Sequence, residues 1–179
     1  MASGDGNGWV ECRCGHRHWG RHGAAGLLLV RRGPAPDAAA ARGEEADGAL
    51  GEAQVLLQLR ATWSDAGGTW GLPGGAADSH EDATAAALRE ASEETGLEAR
   101  AVTVLDALVT TDHGDWRYTT VLAELTGAAR PHAASAETDE VAWVPLADVA
   151  ACALHPGLAQ GWPDLEVAVR GALAPPRPA

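Results

Sequence analysis

The 179-residue chain contains no Lys, no Ile and no Phe, and Asn, Tyr and Met occur once each. Aromatics make up 4% of it, and seven of them are Trp. Ala, Gly, Arg and Pro abound instead, as codon bias in a GC-rich genome would impose on an ordinary protein, so composition is a poor witness to fold. Cations are also scarce. Thirteen basic residues, all Arg, oppose 25 acidic ones, for a formal net charge of −12. Such a chain lacks the clustered positive charge that neutralises nucleic-acid phosphates or an anionic membrane, which excludes a long nucleic acid and favours small-molecule or metal chemistry.

Long apolar runs are missing as well. The longest uninterrupted aliphatic stretch, Leu27 to Val30, is far below the roughly 18 residues of a membrane span, and the opening MASGDGNGWV has no basic region followed by an apolar one. These features lead us to expect a soluble, cytoplasmic protein without a membrane partner. Three Cys, an odd number in a chain without a secretion signal, speak against a disulfide framework.

What is present reads as one α/β domain, a mixed β-sheet between helices. Strands are expected over His22–Val30, Gln54–Arg60, Thr69–Leu72, Ala101–Thr110, Trp116–Leu125 and Val141–Val144. Pro73-Gly74-Gly75 reads as a tight turn. It leads into a helix over Glu81–Thr95, with Ser79 and Asp82 as a capping box and Gly96 as the stop. A last helix is expected over Pro163–Leu173. Residues 1–18 form a Cys- and His-rich lead-in, 19–173 the domain, 31–51 a flexible loop insertion, and 174–179 a disordered tail.

On the first helix Glu90, Glu93 and Glu94 stand at i, i+3 and i+4 and share one third of the circumference, while Thr84, Leu88, Ala91 and Thr95 gather on a face fit for the core. Three adjacent carboxylates repel one another, and a helix seeking only solubility would interleave opposite charges. Oxygen-only ligands suit a hard divalent ion such as Mg²⁺ or Mn²⁺, which leaves positions for water and phosphate oxygens. A solvated acidic face is the ordinary meaning of a charge run, but here the run has a longer context.

From Gly75 to Leu97 the sequence GAADSHEDATAAALREASEETGL matches G, five residues, E, seven residues, R-E-U-x-E-E-x-G-U, with U aliphatic. The chain thereby resembles the Nudix hydrolase superfamily in its MutT-like, bacterial form. Gly75, Glu81, Arg89, Glu90, Glu93, Glu94, Gly96 and Leu97 match, and Ala91 is smaller than the usual first U. The resemblance implies a Nudix-type α/β/α sandwich over about Trp19 to Leu173. It also extends to HWGRHGAAGLLLV and to LHPG (Leu154 to Gly157), to which we assign no role.

The resemblance further implies a Mg²⁺- or Mn²⁺-dependent pyrophosphohydrolase, in which water attacks the diphosphate of a nucleotide or nucleoside diphosphate derivative. Glu93 and Glu94 would be metal ligands, Glu90 a further ligand or a base, and the backbone carbonyl of Gly74 or Gly75 would complete the shell. Arg89 would pair with Glu81 and Gly96 would end the helix, both structural roles. Glu137, six residues before Trp143, is favoured as auxiliary ligand or base, with Glu140 as competitor. Many relatives are homodimers, but no apolar pattern here marks an interface.

Arg60, Trp63, Trp70, Trp116 and Tyr118 fall near strand ends or loops where a base could stack and a phosphate meet a guanidinium, though the favoured reading of the Trp residues is that they fill core space left by the absent Phe and Ile. Asp112, His113 and Asp115 form a polar turn. Cys12, Cys14, His16 and His18 alternate and His22 follows. Structural zinc sites prefer two to four residues between paired Cys, however, so an ordinary His-rich lead-in is the favoured reading. Two other functions compete with the hydrolase. A noncatalytic nucleotide-sensing domain of the same fold is disfavoured by the intact Glu90, Glu93 and Glu94. An isomerase of allylic diphosphates is disfavoured by the late position of Cys152.

Overall fold

The computed structural model of the chain describes residues 4–33 and 53–174. The loop insertion from residue 34 onward and the tail from 175 lie outside the described residues. The elements are strands β1 (Trp9–Glu11), β2 (Arg17–Trp19), β3 (Ala24–Arg31), β4 (Gln54–Arg60), β5 (Trp70–Gly71) and β6 (Gly74–Ala76), then helix α1 (Ala83–Thr95). After it come β7 (Val102–Asp112), β8 (Arg117–Leu125), β9 (Thr138–Pro145) and helix α2 (Pro156–Leu173).

The main sheet is mixed, with order β5-β4-β3-β8-β7, while β6 adds to β3 and β9 to β4. β3 and β8 run parallel, and the other pairs are antiparallel. Strand alternation sends Ala25, Leu27, Leu29, Leu56, Val121 and Ala123 to one face, where α1 covers them with Ala86, Ala87 and Ala91. Leu28, Val30, Val55, Leu57 and Leu122 go to the other face, under Leu158, Trp162, Leu165 and Val169 of α2. Each fully buried Leu or Val contributes about 1.5–3 kcal/mol relative to exposure, and this two-sided burial explains why β3 and β4 read as unbroken aliphatic runs. The α/β sandwich expected from the sequence is the one observed.

Several local expectations need correction. Pro73-Gly74-Gly75 is not simply a turn, because Gly74 and Gly75 pair with Gly26 and Ala25 as strand β6. The N-cap of α1 is Asp82, whose side chain accepts from Ala85 N at 2.7 Å, so the helix starts two residues later than expected. Ser79 instead donates its hydroxyl to Asp5 at 2.6 Å. The face of α1 in the core is centred on Ala86, Ala87, Ala91 and Thr95, with Thr84 and Leu88 at its border. Ala91, fully buried, lets the helix approach the sheet closely.

α2 starts at Pro156, where a missing N–H costs nothing, and His155 caps it by accepting from Gly157 N at 3.1 Å. Pro163, which resembles a start signal, sits inside the helix, and the burial of Trp162 and Leu165 on either side offsets its lost hydrogen bond. The N-terminal segment holds a hairpin, β1 with β2, and Trp19, where the domain was expected to begin, is the last residue of β2.

β3 and β4 pair only at Val30/Arg31 with Val55/Gln54, and beyond that they diverge. β5 lines β4 and β6 lines β3, so Leu72 and Pro73 cross the gap between them. Pro73 O accepts from Leu27 N at 2.8 Å and Leu72 O accepts from the buried Gln58 side chain at 3.3 Å. This split in the sheet faces the C-terminal half of α1.

Candidate active site

At the split, Glu94 is 7% exposed and its Oε2 accepts from Gly74 N at 2.8 Å and from Gln58 Nε2 at 2.9 Å. Oε1 accepts no hydrogen bond among the described residues. Gln58 is held in turn by Thr138, whose hydroxyl donates to Gln58 Oε1 at 2.8 Å. Burial pushes the Glu94 carboxyl up to about 8, and Glu90 nearby adds to the rise, against the lowering effect of the two donors.

Arg89 organises the other carboxylates. Its Nε and Nη2 donate to Glu81 at 2.7 and 2.9 Å, Nη2 also reaches Ala76 O at 2.9 Å, and Nη1 donates to Glu90 Oε1 at 2.7 Å. This bidentate pair lowers the Glu81 carboxyl and holds the guanidinium firmly charged. Glu90 is largely buried, and desolvation raises it despite Arg89. Glu93 stays exposed, 3.7 Å from Arg89 Nη1.

Neither glycine of the turn entering the helix has free space for a Cβ, and at Gly74 the obstacle is backbone. A Cβ on Gly74 would lie 2.4 Å from Ala25 O, and one on Gly75 would lie 2.5 Å from Glu90 Cδ. Gly96 closes the helix at φ 66°, donating its N–H to Ser92 O. Thus Gly74, Gly75, Glu90 and Glu94 converge, with Glu93 one turn away toward solvent. Arg89 pairs with Glu81 and so ties the helix to the segment that precedes it.

Glu137 is exposed and precedes β9, its carbonyl accepting from Ala61 N at 2.9 Å. Its neighbour Thr138 belongs to the Glu94–Gln58 chain, which puts Glu137 at the same end of the sheet. Glu140 lies elsewhere: Val141 packs on the α1 side of β9, so alternation turns Glu140 to the opposite face.

The substrate candidates separate. Arg60 follows Leu59 at the end of β4, donates to Asp65 O at 2.8 Å and lies beside Gly71. Tyr118 is half-buried, its hydroxyl directly over Gly26, the partner of Gly74, and burial pushes that hydroxyl up. Trp63 is 68% exposed in the loop after β4. Trp70 packs against the α2-side core. Trp116 stacks on His18 at 4.4 Å and donates to Trp19 O at 3.1 Å, so its ring is engaged by the N-terminal hairpin.

Three polar residues escaped the sequence reading. Gln58 carried a signal, since it is the one polar residue inside the aliphatic run of β4. Thr138 carried none. His155, left without a role, caps α2, and its N–H donates to Trp70 O at 2.8 Å. Burial lowers its imidazole, and Arg60 adds to that effect.

Residues 42–164 match the family model described as NUDIX domain. The chain is 46% identical over 170 residues to a Mycobacterium tuberculosis protein provisionally named 8-oxo-dGTP diphosphatase 3, covering 92% of this chain and 71% of that protein. It is 40% identical over 160 residues to a nucleoside triphosphate pyrophosphatase/Nudix hydrolase fusion protein of Bifidobacterium longum, covering 88% of this chain and 30% of the fusion. Among solved structures, the M. smegmatis Nudix hydrolase RenU superposes with a TM-score of 0.81 at 41% identity, covering 96% of this chain and all of that one.

Proposed function

The chain belongs to the Nudix family, as a hydrolase of that class, and from this premise we propose that it is a Mg²⁺- or Mn²⁺-dependent pyrophosphohydrolase of nucleoside triphosphates. The name of the M. tuberculosis relative makes an oxidised purine nucleotide, 8-oxo-dGTP, the first substrate to try. The observation that carries the reading is the buried Glu94. Its carboxylate stands beside Glu90 in a low-dielectric split of the sheet, oriented by Gly74 and Gln58 but charge-neutralised by neither.

The donor set fits a hard divalent cation. It is made of oxygens only, it gathers the carboxyl groups of Glu90, Glu93 and Glu94, which a cation would hold ionised, and the lack of a Cβ at Gly75 lets the backbone come close to the Glu90 carboxylate. Glu90, Glu93 and Glu94, with a backbone carbonyl of Gly74 or Gly75 and Glu137 as auxiliary, would hold the ion. When bound, such an ion neutralises charge on phosphoryl oxygens and lowers the pKa of a bound water.

The remaining work belongs to the protein's own groups. Gln58 and Gly74 N fix Glu94 so that Oε1 faces the site. Arg89, anchored on Glu81, holds Glu90 to one rotamer. Glu137 accepts the proton of the attacking water, which forms a bond to phosphorus as the P–O bond to the pyrophosphate leaving group breaks. Arg60 and Tyr118 line the approach at the ends of β4 and β8, and Trp63 offers an exposed face to the base.

Glu93→Gln and Glu94→Gln should each lower the Mg²⁺-dependent release of pyrophosphate by ~10²–10³-fold while leaving the fold intact. The assay compares 8-oxo-dGTP with dGTP and with other nucleotides. Full turnover in both purified variants would sink the acidic helix as the active site.

A further inference from the structure

Outside the acidic site, one cluster of metal-ligating side chains has the chemistry of a softer ion. β1 and β2 form a hairpin in which Val10 faces His18 and Glu11 faces Arg17. The next pair, Cys12 and His16, is joined by Cys12 N donating to His16 O at 3.1 Å. Gly15, at φ 86°, turns the chain between them. Residues directly opposite share a face, so Cys12, His16 and His18 lie on the same side of the hairpin.

The turn then folds Cys14 onto that side. Cys14 Sγ lies 3.1 Å from His18 Nε2, and Cys14 N donates to Cys12 Sγ at 3.5 Å. One ligand atom from each of Cys12, Cys14 and His18 falls within 4.8 Å of the others. The single residue between the two Cys argues against such a site only if the spacing must supply the curvature. Here the hairpin turn supplies it.

His18 is also oriented from behind. Its ring stacks against His113 at 4.9 Å and Trp116 at 4.4 Å, both at the β7–β8 turn. Arg13, between the two cysteines, meets Asp115 of the same turn at 3.0 Å. An imidazole fixed by packing beside two thiols is pre-organised for a metal, as the partners behind a ligating His ordinarily make it.

We propose that Cys12, Cys14 and His18 form a zinc site that fixes the turn of the N-terminal hairpin, whose His18 is held against the β7–β8 turn by stacking. Two thiolates and a neutral imidazole are the ligand types that select Zn²⁺ over the hard ions suited to the acidic helix. Both thiol protons pass to solvent on binding, and the two thiolates neutralise the ion's charge. The fourth position is open to water or to His16.

The test uses the full-length, untagged chain. Elemental analysis and native mass spectrometry should find one zinc per chain, retained in Glu94→Gln and Cys152→Ser and lost in Cys14→Ser and His18→Ala. Cobalt added to the metal-free wild-type chain should give a thiolate-to-metal charge-transfer band, which needs no variant to fold. Chelation of the zinc should lower Tm by several degrees, as loss of a bound ligand does in a domain of this size. A protein that binds neither zinc nor cobalt, or a Cys14→Ser variant that keeps its zinc, overturns the proposal.

Discussion

Glu94 and Arg89 carry opposite electrostatic problems, and each gives a measurable consequence. Burial raises the Glu94 carboxyl from its ordinary 4.5 to about 8 in the cation-free protein. Between those values the folded chain keeps a proton that the unfolded chain has lost. Its contribution is therefore fully present below about pH 4.5 and is lost as pH rises toward 8, an effect on the order of a few kcal/mol. Thermal unfolding of chelator-treated protein should fall in Tm across that window, and Glu94→Gln should flatten the fall, since its amide oxygen still accepts from Gly74. Superimposable pH profiles for the two proteins would contradict this. Arg89→Ala leaves Glu81, 9% exposed, without its guanidinium and should cost about 2–3 kcal/mol in denaturant unfolding. Arg89→Lys should recover little, because one ammonium cannot serve Glu81, Glu90 and Ala76 O together. Arg89, Glu81 and the three acidic positions were legible from their spacing and the resemblance. Gln58 was marked only by its polarity inside the run of β4 and Thr138 by nothing, because their roles exist only once β4, β9 and α1 meet.

The turn from β6 into α1 separates stability from chemistry at two adjacent glycines. A Cβ on Gly74 meets backbone, Ala25 O and Gly26 Cα, which cannot move without breaking the β3–β6 pairing. A Cβ on Gly75 meets the far end of the Glu90 side chain, which can rotate away. Gly74→Ala should therefore destabilise by about 1–3 kcal/mol, as overpacking does, whereas Gly75→Ala should keep near-wild-type Tm and lose turnover because Glu90 is displaced. Equal losses of Tm in the two variants would show that the distinction is wrong. The same segment explains where element prediction failed. Pro-Gly-Gly has turn chemistry, and only the partner strand β3 makes Gly74–Ala76 extended. Pro163 imitates a helix start because a single-residue signal cannot register that Leu158 and Trp162 already bury the preceding turns. The β1–β2 hairpin is short and polar, so no period of two emerged from Trp9–Glu11 and Arg17–Trp19. Its existence depends on Trp116 and on Asp5 and Gly6, which hold Ser79 and Asp78. By contrast β3, β4, β8 and most of α1 were readable because burial on both sheet faces, or a glutamate-rich helical face, left a pattern within each segment.

Over the whole molecule, the net charge of −12 and the chemistry at the split have to be reconciled, because the proposed substrate is itself an anion. Seven arginines among the described residues, Arg13, Arg17, Arg32, Arg89, Arg100, Arg117 and Arg170, are already in ion pairs with Asp or Glu of this chain. They are spread over the hairpin, helix α1 and the segment after it, the ends of β3 and β8, and α2, so among the described residues they form no cationic stripe that could follow a phosphate backbone. A divalent ion at Glu90, Glu93 and Glu94 reverses the sign of the field at one point only, which suits a compact triphosphate and does nothing for a polymer. A single-stranded oligonucleotide in large excess at low salt should accordingly leave the hydrolysis of a small nucleotide unchanged. Binding strong enough to inhibit, and relieved by added salt in the manner of counterion release, would mean that cationic surface had gathered elsewhere on the chain. Raising ionic strength with an inert monovalent salt should also weaken substrate capture little, since attraction to a half-buried cation is screened far less than attraction to an exposed patch. A steep fall of kcat/KM with salt, at saturating Mg²⁺, would place the substrate's phosphates against exposed arginines instead of the acidic split.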